Sequence, residues 1–263
     1  MLELSGPGVR AHPGIEAALS RLNTAIAASP DDPDLYLTRG ILYAKHEAWI
    51  HAEANYLRAA EIAPRQPGLA RSRGALALAT RDFNAALTFL NAALRLDPED
   101  VDALILRVGA RVALGDRPGG LADLEAALSR LRQPGPELFL TRAALHASPA
   151  DAIASLDEAI ARIGPAHTLQ LRALELEEGD GRVDAALRRL DQIARQSERQ
   201  ESWLKRRGDL LARTGRTGEA RAAYAAALAA LHRLPDWLRA STDAVALAAE
   251  LSRLASPPSP SSS

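Results

Sequence analysis

Residues 34–64 read DLYLTRGILYAKHEAWIHAEANYLRAAEIAP, and this stretch decides the fold of the chain. Apolar and small side chains recur in it three and four positions apart, which places them on one face of an α-helix. The pattern breaks near His46 and ends at Pro64, because proline cannot continue a helix. The stretch therefore predicts two helices joined by a short turn.

The same pattern recurs along the chain with a period of 34 residues, which is the spacing between Pro30, Pro64 and Pro98. Three positions in the second helix hold similar residues in successive repeats. They are Ala18, Ala52 and Ala86; Leu22, Tyr56 and Leu90; and Ala25, Ala59 and Ala93. Residues 202–231, SWLKRRGDLLARTGRTGEARAAYAAALAAL, restate the pattern near the C-terminus. Repeats of this length are helix pairs that bury their apolar faces by stacking on their neighbours.

These residues resemble the tetratricopeptide repeat family, whose unit carries large, small and aromatic residues, then small, large and small ones, and a closing proline. The matching residues are Tyr36, Gly40, Tyr43, Ala52, Tyr56, Ala59 and Pro64. The resemblance covers roughly residues 14–255 and implies an all-α fold. We expect a right-handed α-solenoid of about six tetratricopeptide-like helix pairs, plus an N-terminal half-repeat and a C-terminal capping helix.

The expected boundaries follow the repeat. A flexible N-terminus spans residues 1–13, the solenoid 14–255 and a disordered tail 256–263, because SPPSPSSS is of low complexity. Within the solenoid we expect a half-repeat at 14–32, pairs at 33–66, 67–100, 101–134, 135–165, 166–200 and 201–234, and a single capping helix at 235–255. The third pair is expected to turn at Pro118, Gly119 and Gly120, and the fourth to have a turn about three residues shorter.

Composition excludes several classes of function. The net charge is −1, from 32 basic and 33 acidic residues, so we expect no nucleic-acid partner. No apolar run is long enough to enter a membrane, and the first residues lack the apolar core of a signal peptide. We expect a cytoplasmic protein, or a periplasmic or exported one if a leader has been removed from this chain. The oligomeric state is left open.

No set of residues predicts catalysis, so we expect a protein that is not an enzyme and binds no cofactor or metal. The chain has no cysteine, and HEAWIH, residues 46–51, has one residue more than the H-E-x-x-H zinc motif. LGDRPGGL, residues 114–121, follows a helix and lacks a phosphate-binding lysine. Four carboxylates near a helix end are interpreted as a solvated charge run, namely Glu175, Glu177, Glu178 and Asp180.

An arginine precedes the small position of each first helix, a set that we call the arginine ladder: Arg39, Arg73, Arg107, Arg142, Arg172 and Arg207. One interpretation is a row of guanidinium groups that meets an acidic ligand. The favoured interpretation is structural, with heads paired to second-helix carboxylates such as Asp123, Asp157 and Asp191, because the position should face the partner helix.

The resemblance implies a concave groove lined by the first helices, and its hypothetical binding residues are Leu37, Ile41, Lys45, Arg71, Leu78, Ile105, Val112, Leu140, Gln170, Lys205, Asp209 and Arg213. The middle of this set is apolar and its C-terminal end is charged. An alternative is that these residues pack adjacent first helices together. The family's clamp for chaperone tails needs asparagines that these positions lack, so we predict no binding of chaperone C-terminal carboxylates.

The resemblance thus implies a protein-protein interaction scaffold or adaptor, and the Ala- and Arg-rich composition is typical of a bacterial protein. Its partner would be a protein or peptide, and it would bind a peptide or an amphipathic helix in the groove. An alternative is a non-catalytic accessory subunit of a bacterial enzyme or envelope assembly, docked through an edge of the solenoid or through the tail.

Overall fold

A computed structural model describes residues 13–256, and this part of the chain contains fifteen α-helices and no β-strand. The predicted flexible N-terminus and disordered tail lie outside the described residues, apart from Pro13 and Ser256. The helices are α1 Pro13–Ala28, α2 Pro33–Lys45, α3 Trp49–Ile62, α4 Leu69–Ala79, α5 Phe83–Leu96, α6 Val101–Ala113, α7 Arg117–Arg130, α8 Pro136–Leu145, α9 Pro149–Ile163, α10 His167–Gly179, α11 Val183–Gln196, α12 Glu201–Arg213, α13 Thr217–His232, α14 Asp236–Arg239 and α15 Thr242–Ala255.

The chain divides into two compact units, residues 1–134 and 135–263. In the first unit α1 packs on α2, and the pairs α2–α3, α4–α5 and α6–α7 follow one another. In the second unit the pairs are α8–α9, α10–α11 and α12–α13, and α15 packs on α13. The all-α fold of repeated helix pairs that the 34-residue period predicts is confirmed.

Two of the helix pairs close where a glycine meets a tyrosine. A Cβ added at Gly40 would lie 2.5 Å from Cε1 of Tyr56, and one added at Gly208 would lie 2.5 Å from Cε1 of Tyr224. Such separations are far below van der Waals contact, so the crossing requires glycine. Tyr56 is 1% exposed, and its hydroxyl, removed from water and close to Glu53, has a pKa raised to about 12.

The turn inside five of the pairs needs one residue in the left-handed region. Gly115, Gly181 and Gly215 supply it with φ of 85°, 72° and 77°. Glu47 and Arg81 occupy the equivalent positions with φ of 60° and 64°. A side chain with a Cβ is strained there, so the first two pairs hold their turns at some cost in stability.

Two predicted turns differ from the structure. Pro118, Gly119 and Gly120 form the first turn of α7, where Asp116 accepts a hydrogen bond from the amide of Gly119. Proline suits this position because the first helical amides have no partner inside the helix. The turn of the fourth pair has the same length as the other turns. The fourth pair is shorter because α8 has 10 residues, whereas α2 has 13.

The C-terminal cap is α15 alone, where the sequence predicted one helix over 235–255. A break at Ala240 and Ser241 separates it from the four-residue α14. Ser241 causes the break because its hydroxyl accepts a hydrogen bond from the amide of Ala244, which starts a new helix. Leu251 of α15 is fully buried in the core formed with α10–α13.

Candidate binding groove

The first helices of the N-terminal unit line an open cleft of about 540 Å³, which we call the first cleft. It lies along α2, α4 and α6, with two side chains of α3 at its floor. Its lining residues are Ile41, Ala44, Lys45, Trp49, Tyr56, Arg71, Ser72, Ala75, Leu76, Ala79, Asp102, Ile105 and Leu106. Four of the predicted binding residues, Ile41, Lys45, Arg71 and Ile105, are thus brought together.

A second cleft of about 480 Å³ adjoins the first, with Ile41 and Lys45 common to both. Its other wall is α1, through residues that include Ala18, Leu22 and Ala25. These three share the phase of Ala52, Tyr56 and Ala59, which are at most 1% exposed. Among the described residues α1 packs on α2, and Ala18, Leu22 and Ala25 are half-buried. The periodicity of the sequence predicts that these residues pack between helices and does not predict this wall.

The charges along the two clefts are unequally neutralised. Nη1 of Arg71 lies 2.8 Å from Oδ1 of Asp100 and 3.1 Å from Oδ2 of Asp102. Among the residues that the structure describes, Lys45 and Arg21 contact no carboxylate, and both side chains are exposed. Arg71 offsets one of its two carboxylates, and with Lys45 and Arg21 included the net charge along the clefts is positive.

Three further predicted residues of this unit lie outside the first cleft. Leu37 is 9% exposed and belongs to the core around Tyr56, so here the structure corrects the sequence analysis. Leu78 is half-buried against the core of α5 and α6. Val112 is 37% exposed at the end of α6. Leu37 was misjudged because helical periodicity identifies a face but not how deeply each residue on it lies.

The predicted residues of the second unit are largely engaged with their own neighbours. Gln170 is 6% exposed and donates a hydrogen bond to Oε1 of Gln196 at 3.1 Å, so it packs helices together and offers little surface. Leu140 is half-buried on α8. Arg213 pairs with Glu178 at 3.2 Å.

Lys205 and Asp209 form an ion-paired cluster with the cap. Nζ of Lys205 lies 3.1 Å from Asp209 and 3.2 Å from Glu250 of α15. The hydroxyl of Tyr224 donates a hydrogen bond to Oδ1 of Asp209 at 2.9 Å. Burial, followed by this bond and the carboxylate charges, raises the pKa of Tyr224 to about 12. The charged end predicted for the groove is thus internally neutralised.

The arginine ladder of the first unit links neighbouring helices. Arg39 donates to Oδ1 of Asn55 in its own pair and to Oδ1 of Asn23 in α1, each at 2.7 Å. Arg107 repeats this arrangement with Asp123 and Asn91. Arg73 lies 2.7 Å from Glu53 and stacks 4.2 Å from the centre of the Phe89 ring. These heads bind second helices on both sides and do not form a free row.

The ladder is less regular in the second unit. Arg142 is 6% exposed and donates to Ser155 and Glu158. Nε of Arg207 lies 2.9 Å from Oδ1 of Asp191, as the structural interpretation expects. Arg39, Arg107 and Arg142 each bond to the residue 16 positions later. For Arg172 that residue is Arg188, so Arg172 pairs within its own helix, with Glu175 at 3.1 Å.

The acidic run at the end of α10 is paired, which corrects its interpretation as solvated charge. Glu177 is 3% exposed and lies 2.7 Å from Nη2 of Arg189. The same guanidinium binds Asp157 at 2.8 Å, so Asp157 serves Arg189 and not the ladder. Glu178, the residue after Glu177, binds Arg206 at 2.9 Å. Partners 12 to 32 residues apart are not visible in the local pattern.

Three further observations concern the histidines, metal binding and the membrane. The ring of His51 stacks on that of Tyr43, with centroids 5.0 Å apart. Within residues 13–256, no three His, Asp or Glu side chains are grouped as metal ligands would be. None of the helices in that range is both long and apolar enough to cross a membrane.

Comparisons with known proteins agree with this architecture. Residues 136–246 match the family model of the tetratricopeptide repeat-like domain. The chain is similar to a tetratricopeptide repeat protein from Parabacteroides merdae, with 16% identity, a TM-score of 0.54 and 92% of each chain covered. It is also similar to pilF of Pseudomonas aeruginosa, with 18% identity and a TM-score of 0.56 over 70% of this chain and 84% of that one. At these identities the similarity shows the fold alone. A search of curated proteins finds no match.

Proposed function

From the premise that this chain is a tetratricopeptide-repeat protein, whose fold serves as a scaffold for protein–protein interactions, we propose that it binds a peptide or an amphipathic helix. The binding surface is the groove formed by the first and second clefts. The observation that carries this proposal is the convergence of Ile41, Ala75 and Ile105, from three successive first helices, on one open cleft.

The chemistry of the first cleft supports a binding role. Its volume of about 540 Å³ lies within the range of roughly 300–1,000 Å³ that ligand sites occupy. An apolar floor with a few charged groups at its rim is the usual composition of a protein-binding surface. The side chains that line it include no nucleophile oriented by a base, so we propose a role without catalysis.

A pull-down with cross-linking from the native cell tests this function. Ile41→Asp replaces an apolar contact between the clefts with a charge and should abolish capture of the partner, because the apolar surface of the partner would strip water from a carboxylate. Ile50→Asp is the matched control, since Ile50 is 85% exposed and does not line the first cleft. Equal capture by both variants would refute binding in this groove.

A second candidate is a non-catalytic accessory subunit of a bacterial enzyme or envelope assembly, docked through an edge. Trp237 favours it, because this tryptophan on α14 is 75% exposed and tryptophan is enriched among the residues that dominate binding energy. Val245 on the neighbouring α15 is 57% exposed. Loss of capture in Trp237→Ala, with full capture in Ile41→Asp, would select this candidate.

A further inference from the structure

The two clefts share a ridge made of Ile41 and Lys45, which lie one helical turn apart on α2. Residues four apart on a helix lie one above the other on the same face. An apolar contact and a positive charge are therefore presented together to whatever occupies the groove. Arg21 adds a second cation on the opposite wall of the second cleft.

Cations outnumber carboxylates along the groove. Asp102, the carboxylate that lines the first cleft, shares Arg71 with Asp100, so this ion pair leaves one negative charge over. Within the described part of the chain, Lys45 and Arg21 have no such partner. A partner that brings carboxylates to this ridge gains attraction, and one that brings ammonium or guanidinium groups meets repulsion.

The floor of the first cleft also constrains the backbone of its occupant. Most of its lining is aliphatic, from alanines of α2 and α4 to Ile105 of α6, and its uncharged hydrogen-bonding side chains are Trp49, Tyr56 and Ser72, which are too few for every amide and carbonyl of an extended peptide. An extended peptide pressed on this floor would bury amides and carbonyls without partners, which costs free energy for each group. A helix satisfies its own backbone and can place an apolar face there.

We propose that the partner of this groove is an amphipathic α-helix whose apolar face is flanked by Asp or Glu residues that meet Lys45 and Arg21. This inference rests on the proposed function. The apolar face covers Ile41, Ala75 and Ile105, and a carboxylate about one turn from the anchoring apolar residue lies against Lys45. The charge match sets which helices are accepted, and the apolar contact supplies most of the affinity.

The experiment pans a displayed library of randomised 18-residue helical peptides against the full chain and then measures binding of the recovered peptides by fluorescence anisotropy. Groove binders are those that Ile41→Asn weakens and Ile50→Asn does not, because a neutral substitution removes the apolar contact without changing the charge of the groove. These should be enriched in Asp and Glu beside the apolar face, and Lys45→Glu should weaken them by about threefold to tenfold, as reversal of a partly exposed ion pair does.

Arg95→Glu is the matched control for Lys45→Glu. It makes the same change in net charge on an exposed residue of α5 outside both clefts, and it should leave the affinity unchanged. If the charge of Lys45 acted only through long-range attraction, Lys45→Glu and Arg95→Glu would lose the same affinity. Equal losses of affinity would overturn the inference. Raised salt should also weaken the groove binders, because exposed ion pairs are screened.

The outcomes separate the inference from the function on which it rests. Groove binders without acidic enrichment, or binders indifferent to Lys45→Glu, overturn the inference and leave the groove as the binding surface. A panning that yields no binder sensitive to Ile41→Asn overturns both.

Discussion

Arg107 and Asp123 form a two-pronged ion pair between the two helices of the third pair, with Nη2 2.6 Å from Oδ1 and Nε 2.8 Å from Oδ2. The carboxylate side chain is 5% exposed and the arginine side chain 16%. The second Nη of Arg107 binds Asn91 of the preceding pair at 2.8 Å. One side chain thus connects three helices of the first unit.

We expect Arg107→Ala to destabilise the first unit by roughly 2–4 kcal/mol, because it leaves a buried carboxylate with weaker compensation from Arg111. Urea unfolding followed by circular dichroism measures the loss. Arg172→Ala is the matched control, since this ladder arginine is 48% exposed and makes only a local pair, so the change should be below about 0.5 kcal/mol. Equal losses would contradict the structural interpretation of the ladder.

Glycine substitutions at the helix crossings should be costly. Gly40→Ala forces the ring of Tyr56 to move, and we expect a loss of about 1–3 kcal/mol in the free energy of unfolding. Gly218→Ala in α13 meets open space and should raise stability by about 0.5–1 kcal/mol, because alanine loses less backbone entropy. Thermal and urea denaturation measure both variants, and a neutral Gly40→Ala would show that the crossing is loose.

The strained turns offer a stabilising change. Arg81 has φ of 64° at the position where three later pairs have glycine, so Arg81→Gly should stabilise the first unit by up to about 1 kcal/mol. The reverse change, Gly115→Arg, should destabilise it by a similar amount. Shifts of the urea midpoint in opposite directions are expected, and shifts of the same sign would exclude backbone strain as the cause.

Alkaline pH should weaken the fold. The pKa of Tyr56 is raised to about 12 in the folded chain against about 10 for an unfolded tyrosine, first by burial. The unfolded state therefore loses its proton first, and the free energy of unfolding falls as pH rises from about 10 to 12. Urea midpoints across this range measure the slope, which should be shallower in Tyr56→Phe. An unchanged slope would assign the titration to other groups.

The sequence predicts the helix pairs and much of the groove because both depend on local periodicity. Spacings of three, four and 34 residues assign Ile41, Arg71 and Ile105 to one face of successive first helices, and the structure places them in one cleft. The start of α7 and the break before α15 could not be read from the repeat, because Asp116 and Ser241 act as local caps within it.

The sequence does not predict how deeply each groove residue is buried or which distant charged residues form ion pairs. Leu37 shares a face with Ile41, but Leu37 packs against the core around Tyr56 while Ile41 stays 37% exposed. Likewise Glu177 looks like one carboxylate of a surface run, and only the packing of α10 on α11 reveals its pair with Arg189. Both facts depend on how neighbouring helices stack, which period alone does not specify.

Methyl NMR of isoleucine tests the central claim most directly, because the chain has ten isoleucines spread along it. The spectrum of the full chain is compared before and after addition of a partner or of a recovered helical peptide. We predict that the δ1-methyl signals of Ile41 and Ile105 shift, while those of Ile50 and Ile153 stay in place. Shifts that leave Ile41 and Ile105 unmoved would show that the partner binds outside the groove and would contradict the account.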